Sequence, residues 1–240
     1  MRRFIILTIL FSMLLGSCHF IGGKRIRGNG KITTQSRTVN AFTSVDVRGD
    51  IDVYVKQDTV VSVKIEADEN LLQYVQLTVE NSTLDIREER GFNLKSTRGI
   101  KVYVSGPSFK HFEASGACDI FSENQLNSTE PISIDLSGAC NAKMDLKTPA
   151  INVDMSGAGK ITLKGETKDF DVDGSGATDV RCFELMTENS RVEMSGAGDA
   201  EVFASLKLDV HVSGAADIKY KGNAAVSQKV SGAGSVKKVE

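Results

Sequence analysis

The chain has no tryptophan, three prolines and three histidines in 240 residues, and aromatics make up only 6 % of it. Each shortage removes a class of protein. Few aromatics and no basic stripe leave neither stacking platforms nor an electrostatic footprint for nucleic acid. Scarce proline beside 22 glycines argues against a disordered or collagen-like chain and for a turn-rich fold with small, uniform side chains. His19, His111 and His211 stand without an evident nucleophile, so acid–base catalysis has little support. The four cysteines, Cys18, Cys118, Cys140 and Cys182, form no C-x-x-C pair, and no histidine cluster completes a zinc site. No cofactor is expected. What remains is a chain that is 40 % hydrophobic, enough to build the core of one large all-β domain or two small ones.

The only long apolar run lies at the start. Arg2 and Arg3 precede Phe4 to Leu15, and Gly16-Ser17-Cys18 follow. A charged start, a short apolar run and small residues make residues 1–17 an export signal, too short to span a membrane as a mature helix. The ending L-G-S-C resembles the lipobox of bacterial lipoproteins, which implies that Cys18 becomes the first residue and carries lipid. The mature protein would then be anchored to a leaflet of the cell envelope, the outer membrane being expected, without crossing it. Loss of Arg2 and Arg3 takes the formal charge from −2 to about −4. Residues 18–38 are polar, basic and glycine-bearing and read as a flexible tether able to rest on anionic headgroups.

The rest of the chain repeats. S-G-A occurs with its serine at Ser115, Ser137, Ser156, Ser175, Ser195, Ser213 and Ser231, at spacings of 22, 19, 19, 20, 18 and 18 residues. Between these points apolar and polar residues alternate, as in Ile151-Asn152-Val153-Asp154-Met155, the period of a strand. Aligned on the serine, Phe112, Ile134, Val153, Val172, Val192 and Val210 form one apolar column. Ile120, Ala142, Ile161, Val180, Ala200 and Ile218 form another. The near-constant period predicts a solenoid, specifically a single-domain parallel β-helix over residues 39–240 with about 18–22 residues per coil. Stacked coils about 4.8 Å apart would share one core. A blade of a propeller needs about 40 residues, and a sandwich has no reason to repeat one corner.

The corners themselves then become architecture. Gly116, Gly138, Gly157, Gly176, Gly196, Gly214 and Gly232 take the conformation a tight corner demands. The serine hydroxyls can bond local backbone or the next serine in the stack. A catalytic serine would be singular. The region 39–105 keeps the alternation without the motif, against the regular repeats of 106–240, and is expected to be an atypical capping region. Within it Leu71–Val75 reads as a short helical turn, and the residues around Asn81-Ser82 as a hairpin. At the other end Lys237 and Lys238 would guard the last strand against pairing.

F-T-S-V-D-V-R-G-D-I-D-V-Y-V, then I-E-A-D-E-N-L-L, then S-T-L-D-I-R, then the serial S-G-A turns, resemble the head-GIN-domain family of putative auto-transporter adhesins over about residues 39–235. The resemblance implies an exported protein, often a lipoprotein of Bacteroides-like bacteria. It also implies a parallel β-helix shaped like the pectin lyases, no recognised catalytic residues and an adhesion role.

Several constellations could carry chemistry. The outward position two residues before each serine reads Glu113, Asp135, Asp154, Asp173 and Glu193, then His211 and Lys229. Five carboxylates in a strip would cost the sheet a few tenths of a kcal/mol per pair, less in salt. The strip is either a solvated face or a docking strip for a divalent cation or basic partner. Asp119, Asn141, Lys160, Asp179, Asp199, Asp217 and Ser235 follow the corners. They lack the doubled glycine and nonapeptide period of a calcium-binding β-roll, so local capping explains them better. Arg48-Gly49-Asp50 spells a tripeptide that integrins read, at a corner that needs glycine anyway. Cys118 and Cys140 hold equivalent corner positions. An exported compartment permits a disulfide, although parallel neighbours pointing the same way are not the favoured geometry, so a thiol pair and a disulfide both stand. Cys182 reads as core.

Three functions are compatible with these features. The first is a non-enzymatic, lipid-anchored envelope protein that binds a surface glycan or protein through a flat β-helix face. The second is a pectin-lyase-like, polysaccharide-active enzyme, which would need an unrepeated acidic and basic cluster with aromatic subsites. The third is a structural or envelope-stress lipoprotein without an external ligand.

Overall fold

The computed structural model describes residues 23–240; the export signal and Cys18 lie outside the described residues. Sixteen strands follow: β1 (Lys24–Arg27), β2 (Ile32–Arg37), β3 (Ser44–Gly49), β4 (Ile51–Gln57), β5 (Ser62–Asp68), β6 (Val75–Glu80), β7 (Thr83–Glu88) and β8 (Phe92–Lys95). They continue as β9 (Ile100–Gly106), β10 (His111–Gly116), β11 (Asp119–Asn127), β12 (Ile132–Gly138), β13 (Asn141–Phe203), β14 (Lys207–Lys221), β15 (Ala225–Gly232) and β16 (Ser235–Lys238). Of the segment expected as a tether, residues 24–27 and 32–37 are thus β1 and β2. A 3-10 turn at Leu72–Tyr74 precedes β6, where the helical turn was expected.

The expected single parallel β-helix is not what forms. The protein is strongly β, but 14 strands join in one mixed sheet. Strand β5 runs antiparallel to both β2 and β9, and β6 runs antiparallel to β7. The physical reason lies in two reversals. Asn81 and Ser82 both adopt positive φ, 50° and 62°, which closes β6 on β7 through the tight turn that right-twisted hairpins favour. After β4 the chain turns back through residues 58–61, and β9 inserts between β4 and β5, parallel to the first and antiparallel to the second. A separate two-stranded parallel sheet joins β1 to β8.

The repeat region does pair in register. Strand β10 lies parallel between β3 and β12, so that Gly116 stands beside Gly138 on one side and Gly49 on the other. Gly138 pairs with Gly157, Gly196 with Gly214 and Gly214 with Gly232. Within the 63-residue β13 the same register continues, because a Cβ added to Gly176 would meet the Gly157 carbonyl oxygen at 2.4 Å, and one on Gly196 the Gly176 oxygen at 2.3 Å. The R-G-D corner therefore occupies the same stack, with Arg48 in the place of a serine. Ser137 and Ser175 each turn a hydroxyl to the backbone of the preceding repeat, reaching the Ala114 and Met155 oxygens at 3.4 Å.

Both expected apolar columns are buried, from Phe112 to Val210 and from Ile120 to Ile218, and they belong to one continuous core with Val45, Val53 and Val102 from the N-terminal strands. Burial of this kind is what drives the ladder together, at about 25 cal/mol per Å² of apolar surface. At the C-terminal end the core runs out: every residue of β15 is exposed.

Candidate functional site

The acidic strip exists as a physical row, and it is longer than the sequence indicated. Glu113 pairs with Asp135, Asp135 with Asp154, Glu193 with His211 and His211 with Lys229. The glycine contacts of β13 put Asp173 between Asp154 and Glu193. On the other side Glu113 pairs with Asp46, and Asp46 with Asp85. Asp46 and Asp85 were missed because their corner lacks the S-G-A signature. The signal was present in V-D-V and L-D-I, where an aspartate stands between two inward residues.

Basic side chains flank this row. The Arg48 guanidinium binds Asp46, with Nε 3.1 Å from Oδ1, and Arg87 reaches Asp85 at 3.5 Å. His111 lies 3.9 Å from both Glu113 and Asp135, and its Nδ1 is 2.7 Å from the Ser133 hydroxyl. Arg191 pairs with Glu193, and with Asp171 at 3.6 Å. The middle is less compensated. Burial raises the pKa of Asp173, and the neighbouring charges of Glu193 and Asp154 raise it further. Burial also raises Asp135, against the pull of His111 and with the push of Asp154. The carboxylates form a line and do not converge: among the described residues no three of His, Cys, Asp or Glu are grouped to hold a metal ion. Arg48 of the R-G-D tripeptide is engaged by Asp46, two residues away.

The column after the corner is held by local contacts. Asn141 donates to Asp119 at 2.8 Å, Ser235 donates to Asp217 at 2.6 Å, and Lys160 pairs with Asp179 at 3.7 Å. Arg181 fans across Asp179, Asp199 and Glu201 at 3.1, 3.4 and 2.7 Å. Cys118 and Cys140, beside the corners, and Cys182, in the core, are buried free thiols. The Cys140 thiol is lowered, chiefly by the hydrogen bond from Cys118, whose own thiol is correspondingly raised. Burial pushes Cys182 up to about 12.

On the outward face beyond the corner the structure places a feature absent from the sequence reading. Tyr103 pairs with Tyr54, and Tyr54 with Phe121. Their rings stack at 5.0 and 5.2 Å between centroids, a cross-strand arrangement stabilised beyond its area burial. Next in the ladder stands Lys143, and there a groove of about 660 Å³ opens, lined by Phe121, Thr162, Arg181 and Phe183 among others. Strand β11 bulges between Phe121 and Gln125 and forms one wall of this groove.

Residues 41–224 match the family described as putative auto-transporter adhesin, head GIN domain. Among solved structures, a putative adhesin from Bacteroides fragilis aligns at 24 % identity and a TM-score of 0.84, covering 89 % of this chain and all of its own. A putative lipid binding protein from Parabacteroides distasonis aligns at 20 % identity and 0.75, covering 90 % of this chain and all of its own. A putative adhesin from Parabacteroides merdae aligns at 23 % identity and 0.69, with the same coverage. These likenesses show a shared fold. No curated protein matches the sequence.

Proposed function

The chain belongs to the head GIN domain family of putative auto-transporter adhesins, and from that premise we propose a non-enzymatic surface-interaction protein of the cell envelope. The single observation that carries this reading is the in-register parallel ladder from β7 to β15, which aligns equivalent outward side chains into long regular faces. An extended ligand meets the same chemistry at every step of about 4.8 Å along such a face. The L-G-S-C sequence at the start supports lipid attachment at Cys18, and thereby an anchored, outer-membrane location. Among the described residues no helix is long and apolar enough to cross a membrane. The relatives described as putative adhesins support a binding role over an enzymatic one.

The acidic row from Asp85 to Glu193 favours basic partners, since a line of carboxylates raises the local concentration of cationic groups. Protease shaving of intact cells, followed by attachment assays on glycan and matrix-protein arrays, tests the proposal. Release of the protein by protease and attachment that is lost on deletion of its gene are expected. A protein that stays protected on intact cells, with attachment undiminished by the deletion, refutes a surface role.

A further inference from the structure

We infer that the groove beside Phe121 is a binding site for a neutral oligosaccharide, an inference that rests on the surface-interaction reading and names a ligand class for it. A ring covered on one side by Tyr54 turns its other face toward the next strand, and across from Phe121 that strand carries Lys143 and then the short Thr162. The side of Phe121 away from Tyr54 therefore borders the groove beside Lys143, and Phe183 also lines it, with Lys221 over that ring at 5.2 Å. Two aromatic side chains lining one open groove match a pyranose ring, whose axial C–H face is apolar while its rim of hydroxyls is not. Sites for small polar ligands combine such apolar walls with a few placed polar groups.

Those polar groups are held in place. Asn124 in the bulge accepts from the Gln57 amide at 2.9 Å and donates to the Gln57 carbonyl at 3.0 Å. The Ser122 hydroxyl accepts from the Asp145 amide at 2.8 Å. The bulge is thus fixed on both flanks, as bulges that shape a site commonly are. A wall that is already ordered loses little entropy when a ligand arrives.

Charge and backbone decide the class of ligand. Arg181 is taken by three carboxylates and Lys164 by Asp145 at 3.3 Å. The lining holds three cations against four carboxylates, so no positive surplus is left to hold an anionic polymer. A peptide added as a further strand would need unpaired backbone at a sheet edge. The groove lies over β11 and β13, which are already bonded to one another and to β4 and β12. A neutral sugar requires neither. Lys143, which forms no ion pair among the described residues, supplies a donor for a hydroxyl beside the Phe121 face.

The test titrates the full chain with cellohexaose, xylohexaose, mannohexaose and maltohexaose, with hexagalacturonate and a mixed decapeptide pool in parallel. Calorimetry and tyrosine emission are read together. With no tryptophan and four tyrosines in the chain, Tyr54 and Tyr103 are half of the emitters. At least one neutral hexasaccharide is expected to bind and change the emission. Phe121→Ala should weaken that binding at least tenfold, and Thr162→Arg, which fills the trough without touching the stack, should abolish it at unchanged melting temperature. Asp154→Asn on the other face should leave it intact. The inference is overturned if no neutral hexasaccharide binds, if binding survives both groove variants, or if only hexagalacturonate or peptide responds. Cell attachment that persists in Phe121→Ala and Thr162→Arg while sugar binding is absent would remove the groove and leave the surface role standing.

Discussion

Replacing Gly196 by alanine tests the close backbone approach at the corners of the ladder. Two costs add at this position. Its φ of +119° is one that L side chains occupy at a cost of about 1–3 kcal/mol. The new Cβ would also stand 2.3 Å from the Gly176 carbonyl oxygen and 3.1 Å from its carbon and nitrogen. Relief to ordinary contact needs a local separation of the two repeats by roughly 1 Å, which stretches two or three ladder hydrogen bonds worth about 0.5–1.5 kcal/mol each. The sum is about 4 kcal/mol. Gly30→Ala supplies the control, since Gly30 has a φ of +81° and nothing within 4 Å of its added Cβ. It bears strain alone, about 1 kcal/mol after the stiffer unfolded chain is counted. Ser195→Ala at the same corner should cost under about 0.5 kcal/mol, because its side chain is exposed. Urea unfolding followed by far-ultraviolet circular dichroism reads all three as midpoint shifts at constant slope. If Gly196→Ala unfolds at the same midpoint as Gly30→Ala, the close backbone approach does not hold the repeats, and the account of the corner fails.

Other perturbations follow from the same physics. Asp68 is fully buried and accepts from Gly30 N, Ser96 Oγ, Thr97 N and Thr97 Oγ1 at 2.7–2.8 Å. Burial alone would raise its pKa, but these bonds together lower it to about 2. A depressed carboxyl stabilises the fold above its unfolded value near 4 and loses that contribution as pH falls through about 2. Asp68→Asn should therefore flatten the loss of stability between pH 4 and 2 in acid titrations of the melting temperature. An equally steep acid limb in the variant would refute the assignment. Asp173→Asn should raise the melting temperature or leave it unchanged, and should weaken its dependence on salt, since Asp154 and Glu193 crowd that carboxylate. A drop of several degrees would show that Asp173 is compensated after all. Ser82→Gly should stabilise by about 1 kcal/mol, because a non-glycine residue at a φ of 62° sits in the left-handed region; a lower unfolding midpoint would contradict the hairpin geometry.

Features with a local cause were legible in the sequence. The alternation around Val153, Val172 and Val192 named the buried columns, and Asn81-Ser82 named a hairpin, since both signals lie within a few residues. The mixed sheet was not legible. That β9 slips between β4 and β5 depends on residues 100–106 meeting residues 51–57, a pairing no periodicity announces. The same gap hid the aromatic stack. Tyr103, Tyr54 and Phe121 lie far apart in the sequence, and only the strand order β9-β4-β11 makes them neighbours. The acidic strip was half seen for a related reason: the S-G-A motif located Glu113 to Glu193, whereas Asp46 and Asp85 join through corners that lack it.

The column of glycines touches neighbour to neighbour through main-chain atoms alone. Distance between repeats is set by the main-chain hydrogen bonds of the ladder, parts that every residue type shares. Such a protein can exchange the entire chemistry of one surface, charge for sugar-facing ring or ring for charge, one position at a time, while its frame stays where it was.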